Sequence, residues 1–322
     1  MEPWKPEFYP FYDPYRGGNM LPMLAKVGIA LGFGLSYMLM QFAVMPDKAA
    51  YFQQSLWILG AIISTSIMAI YAATMAFRKV LITISHFEGN QSTCEYITRN
   101  WLSDNRLLLA GVGFATLNTL VGHLLGVPAE FHDSVPTLAM MYVGFFTAGF
   151  FAGMGLHAII AVLVMHLRFA PRLQHGLDPE NPDGSGGMGT IGDALWFFAL
   201  LIGAVGALVS VYLVSVRWSY MYKDYVQMIY MFWISLPYVL AVSIVLIPGL
   251  AVRKQVSNYK DQRTQQLKQE QARLYSAYKK FSEAEDDEII SSKKELEERM
   301  EHIETQMQKL REMRNSHIDG KG

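Results

Sequence analysis

A few side chains able to do chemistry stand among long hydrocarbon runs. Asn118 and His123 lie five residues apart in one run, and His157, Ser235 and Ser243 lie in two others. A polar or ionisable group is expensive in lipid, so it faces a cavity or a neighbouring helix. These five therefore either line a polar conduit or tie helices together by hydrogen bonds, and spacing alone does not choose between the two. No Asp, Glu, Lys or Arg occupies the middle of any run, which argues against proton-driven or charge-coupled transport.

The segment from Asp178 to Thr190 is dense in Gly and Pro. Around Asp183, Gly184, Ser185, Gly186 and Gly187 the backbone can take shapes closed to other residues and present amides to an anion or ligand. It stands just before a helix expected from near Ile191, and helix starts attract anions. The segment lacks the Lys-Ser/Thr ending of a P-loop and no strand precedes it, so nucleotide hydrolysis is not indicated. No pattern calls for a catalytic residue, a metal or a cofactor. Pro237 and the pair Pro248 and Gly249 interrupt the last hydrocarbon run. They read as a gating hinge, or, for Pro248, as a plain helix end before a linker.

The elements that must position these groups follow from the solvent. Of 322 residues 52% are hydrophobic, and the charge is gathered at the back of the chain. A hydrocarbon layer of about 30 Å needs roughly 20 apolar helical residues. Runs near Leu24–Val44, Ser55–Phe77, Leu107–Val127, Thr137–Leu167, Ile191–Val216 and Tyr225–Val252 meet that length. The fold class is all-α, a polytopic transmembrane helical bundle of about six spans. Its expected organisation is an interfacial segment over 1–23, the bundle over 24–252 with cytoplasmic loops 78–106 and 168–190, a cytoplasmic coiled coil or helical hairpin over 253–314, and a flexible tail over 315–322. Loop 78–106 reads as two short helices broken at Glu88, Gly89 and Asn90.

Cations set the orientation. Arg78, Lys79, Arg99, Arg106, Arg168, Arg172, Arg253 and Lys254 fall on alternate connections, while the opposite set holds only Lys48, Arg217 and Lys223. The positive-inside rule then puts both termini in the cytoplasm, in what reads as a bacterial inner membrane. Gly28 with Gly32, Gly149 with Gly153, and Gly203 with Ala207 are small-residue pairs that let helices approach closely, within one chain or between copies. In the tail, Leu267, Leu274, Tyr278 and Phe281 form one helical stripe; Leu296, Met300, Ile303, Met307 and Leu310 form another. The phase shifts between them, so a stutter or an antiparallel hairpin is required.

The stretch from Asn181 to Met188 resembles the loop "HPD-x-(A/G)-GG-(L/M)" of a broad group of bacterial polytopic membrane proteins, with Asn181 in place of the His. The overall layout is more distantly similar to membrane effectors of antiphage systems, the Hailong type among them. That resemblance implies an oligomeric channel controlled by a nucleotide-type product, and a depolarised cell when it opens. Six spans with Ser and His also invite comparison with rhomboid proteases, but Gly34, Leu35, Ser36 and Tyr37 depart from their Gly-x-Ser-Gly motif at the last position. The expected function is a homo-oligomeric ion channel or pore, gated by a cytoplasmic ligand or partner and not an enzyme. The alternative is a membrane scaffold that recruits a cytosolic protein through its tail.

Overall fold

Each long hydrocarbon run is a helix in the computed structural model, which describes residues 10, 23–87, 91–171, 177–181, 183–216, 224–281 and 287–315. In chain order these are α1 (Met23–Val44), α2 (Lys48–Gln53), α3 (Trp57–His86), α4 (Gln91–Tyr96), a π-helical turn (Ile97–Trp101), α5 (Asp104–Leu124), α6 (Val127–Glu130), α7 (Val135–Phe169), α8 (Gly189–Ser215), α9 (Asp224–Phe281) and α10 (Asp287–Glu312). Among the described residues there is no strand, and six helices (α1, α3, α5, α7, α8 and α9) are long and apolar enough to cross a membrane. The protein is an all-α polytopic membrane bundle. The interfacial segment expected over 1–23, the break at 88–90 and most of the 315–322 tail lie outside the described residues.

Local chemistry sets the helix starts. The Asp47 carboxylate accepts from the amides of Ala49 and Ala50 at the head of α2, and the Ser134 hydroxyl accepts from the Thr137 amide at the head of α7. Both satisfy donors that a helix leaves unpaired. Gly126, at φ +89°, turns the chain out of α5.

The long helix α7 is the hub, packing on α1, α3, α5 and α9; α3 also packs on α8, and α8 on α9. Small residues allow the closest of these contacts. A Cβ at Gly153 would sit 2.5 Å from the Phe114 Cβ, and one at Gly149 would sit 2.9 Å from the Ala115 Cα. That pair is used within the chain, against α5. Gly28, Gly32 and Gly203 have nothing near them, and on α8 it is Gly206 that meets α9, at 2.6 Å from the Pro237 Cβ.

Two buried clusters mark the two ends of the bundle. One joins Tyr37 and Met45 of α1 to Leu56, Val127, Phe131 and Tyr212. The other joins Phe77 and Leu81 of α3 to Cys94, Ile97, Phe169, Met188, Val252, Val256 and Met313. The basic residues Arg78, Lys79, Arg99, Arg106 and Arg168 all accompany the second cluster. α4 and the π turn bury Cys94 and Ile97 there.

The helix-end reading of Pro248 needs correction. Pro237 and Pro248 lie inside α9, which runs unbroken for 58 residues, about 87 Å at 1.5 Å per residue. Pro248 and Gly249 do not end the helix. Ile244, Val245, Val252 and Val256 are buried in one cluster on both sides of them, and that packing outweighs one lost backbone hydrogen bond. Beyond the bundle α10 returns antiparallel to α9, burying Leu267 against Ile303 and Leu310. Gln271 donates to Glu304 at 3.3 Å and Tyr278 to Glu297 at 2.8 Å along the flank. The phase shift is therefore met by a hairpin.

Candidate functional site

The hairpin ends on the Gly-rich loop. The Arg314 amide donates to the Gly184 carbonyl at 2.8 Å, and a Cβ on Gly186 would lie 3.4 Å from the Met313 sulfur and 3.0 Å from Leu177. Gly186 and Gly187 hold φ +69° and +93°, conformations that side chains disfavour. Lys309 pairs with Glu180 at 3.0 Å, the Tyr259 hydroxyl donates to the Leu177 carbonyl at 3.1 Å, and Lys260 reaches the Met313 carbonyl and, at 2.9 Å, the Asn315 side chain. Loop, α9 and the end of α10 are thus clamped together at the basic end.

The amides expected to meet an outside anion already have one. Asp183 Oδ1 accepts from Ser185 N at 2.7 Å and Gly187 N at 3.1 Å, and Oδ2 accepts from Gly189 N at 2.9 Å. Burial alone would raise the Asp183 pKa. The amides of Gly189, Ser185 and Gly187 outweigh it and hold the carboxyl below its ordinary 3.8. Asp183 caps α8 from within the loop, and Ser185 is buried beneath it. A cleft of about 470 Å³ lies between the loop, α9 and α10, lined by Asp178, Glu180, Arg263, Gln266, Gln306 and Lys309.

Inside the membrane the candidate polar residues act as ties. Asn118 Nδ2 donates to the Phe145 carbonyl of α7 at 2.7 Å, and its oxygen accepts from Trp233 Nε1 of α9 at 3.1 Å. His123 Nδ1 lies 2.8 Å from the Tyr142 hydroxyl. His157 Nε2 donates to the Trp101 carbonyl at 2.7 Å, its ring stacked on that indole. Ser235 donates to the Phe232 carbonyl of its own helix, and Ser243 is half-buried. Asn118, His123 and His157 each hydrogen-bond to another element of the same chain. Ser36 stands on the exposed face of α1.

Between its helices the bundle holds a partly open apolar cavity of about 270 Å³, with Ser66, Phe114, Asn118, Tyr212, Trp233 and Pro237 among its lining residues. Trp233 stands at its α5 side, stacked on Phe114 with ring centroids 5.8 Å apart. Sequence reasoning missed Trp233, because its partner lies 115 positions away. It also missed Met313 and Arg314; the only signal for them was the hydrophobic stripe of α10 running on toward Met313. Among the described residues, no group of three His, Cys, Asp or Glu side chains could hold a metal.

No known protein family, curated protein or solved structure matches the chain.

Proposed function

We propose that this integral membrane protein is a homo-oligomeric channel or pore whose opening is controlled from the cytoplasmic clamp. One observation carries the reading: α9 is a single helix that lines the intramembrane cavity at Trp233 and Pro237, then continues into the hairpin that closes on the loop before α8. Motion of the clamp moves the inner helix, because the two are parts of one helix, with Pro248 between them as a place to bend. Asn118, His123 and His157 are tied up within one chain, so a water-filled path forms between copies or when those ties release. The outward face of α1 at Gly28 and Gly32 is open for such assembly. The cleft beside Arg263 and Lys309 takes the gating signal, a small nucleotide-type ligand or a segment of a cytosolic protein. The basic end faces the cytoplasm, so both termini lie there, in a bacterial inner membrane. Opening depolarises the membrane, which suits an antiphage effector.

Ion flux in reconstituted vesicles tests this. Flux above empty vesicles is expected, and it should change when Met313→Asp frees the clamp. Vesicles that stay impermeable at high protein density with both forms would sink it. The exposed outer face of the hairpin, with Tyr275 prominent, favours the scaffold as second reading. Deleting residues 255–322 separates the two, since a scaffold loses partner capture alone while a gated pore changes conductance.

A further inference from the structure

We propose that the bundle binds one neutral lipid-type molecule, a hydrocarbon chain carrying an uncharged hydrogen-bond acceptor, in the cavity among α3, α7, α8 and α9. This does not rest on the conduction reading. At about 270 Å³ the cavity is larger than a 150 Å³ apolar cavity that stays dry and takes benzene. At roughly 30 Å³ for a water-sized group it holds about nine such groups, a short length of hydrocarbon chain. Among the described residues, no charged side chain lines it. A charged ligand would therefore be buried without a counterion, which is far more costly than burying a neutral one.

Two hydroxyls on its wall point to the acceptor. Ser66 Oγ and Tyr212 Oη are each in residues only 3% and 3% exposed, and neither has a hydrogen-bond partner. Buried polar groups are otherwise almost always paired. The remaining polar atoms of the wall are engaged: Thr74 donates to the Ile70 carbonyl, and Asn118 and Trp233 serve each other and α7. A carbonyl or ether oxygen on the ligand would accept from Ser66 and Tyr212. Its chain would lie along Leu236 and Pro237.

An entrance exists on the lipid side. α5 and α9 make little backbone contact, and the gap between them is bridged by the Trp233 side chain reaching Asn118 and Phe114. The cavity is partly open as it stands. The acceptor and chain could belong to a glycerolipid ester or to a free neutral prenyl or acyl lipid. Both offer the same chemistry, and the mass of the retained molecule distinguishes them.

The test uses the full chain in phosphatidylethanolamine–phosphatidylglycerol vesicles containing a diacylglycerol with a photoactivatable diazirine in one chain. Crosslinks are expected on the inner wall, at Leu236 and Ala152. A Cβ at Gly155 meets nothing within 4 Å and this residue borders the cavity, so Gly155→Leu should fill it and cut the inner crosslinks at least tenfold. Crosslinks at the outward Leu31 and Leu35 of α1 should stay unchanged. The near-isosteric double variant Ser66→Ala with Tyr212→Phe should cut the inner crosslinks about threefold or more; it guards against a folding failure of Gly155→Leu. Lipid extracted from the purified wild type then gives the mass of the natural occupant. Labelling confined to outward residues overturns the proposal, as does inner labelling that both variants leave unchanged.

Discussion

The Arg314 amide and the Gly184 carbonyl meet at 2.8 Å, so a tail that leaves the bundle on α9 comes back to the loop that opens α8. The contact makes a closed ring of loop, α9 and α10 at the basic end. The ring has one apolar tooth, Met313, which is 4% exposed in the same cluster as Phe87, Phe169 and Val256.

The apolar tooth, not the ion pair beside it, should hold the ring shut. Truncating a buried Met to Ala costs about 2–5 kcal/mol, whereas an exposed ion pair such as Lys309–Glu180 contributes at most about 1 kcal/mol. Met313→Ala should therefore make residues 287–315 several-fold more sensitive to trypsin in membranes, while Glu180→Ala changes the rate little. Equal sensitivity of the two variants would refute this ranking.

Asp183 should stabilise the loop in a pH-dependent way. Its folded pKa is depressed below the ordinary 3.8. Its contribution is therefore full above that value and is lost as pH falls through the lower, folded one. Asp183→Ala removes the acceptor of three backbone amides, a loss of about 1 kcal/mol or more. Melting in detergent should show wild type above the variant near neutral pH, with the gap closing as the pH falls well below 3.8. A gap that persists at that acidity would mean the carboxylate charge is not what the amides recognise.

These two residues show where sequence reading stops. The six spans were legible because hydrocarbon solvent demands continuous apolar runs, and Gly184, Gly186 and Gly187 were legible as positions of unusual backbone. That the loop would supply its own anion was not. Asp183 reaches its amides only once the chain has turned at those glycines, a closure that composition does not encode. Pro248 read as a stop because local preference forbids proline inside helices, yet burial of Val245 and Val252 on either side holds α9 continuous. Asn118 was singled out correctly as a polar oddity. Its role depended on Trp233, and no periodicity links residues so far apart in the chain.

The Trp233–Asn118 bond should couple α9 to α5. Trp233→Phe keeps an aromatic ring over Phe114 and removes the indole donor, leaving the Asn118 oxygen unpaired. Hydrogen bonds between membrane helices contribute on the order of 0.6 kcal/mol, up to about 1.7. A double-mutant cycle with Asn118→Ala, read by unfolding in mixed detergent, should give a coupling in that range. Additive effects of the two substitutions would show that the contact does no mechanical work.

Cys94 offers a reporter for the clamp, since it is the chain's one cysteine. Burial, with a smaller push from the neighbouring Glu95 carboxylate, raises its thiol to about 12. The reactive thiolate is therefore scarce at neutral pH. The side chain is 0% exposed and lies 3.8 Å from the Leu81 carbonyl, inside the cluster that Met313 completes. Labelling by a maleimide should be slow in native membranes and fast after denaturation in dodecyl sulfate. Met313→Asp should speed native labelling by roughly tenfold, about 1.4 kcal/mol of lost protection, because a charge placed in that cluster must be hydrated. If native labelling is fast in the wild type, the cluster around Cys94 is open and the clamp does not close it. If Met313→Asp labels no faster than wild type, the end of α10 does not guard the cluster, and control of the bundle from the hairpin fails with it.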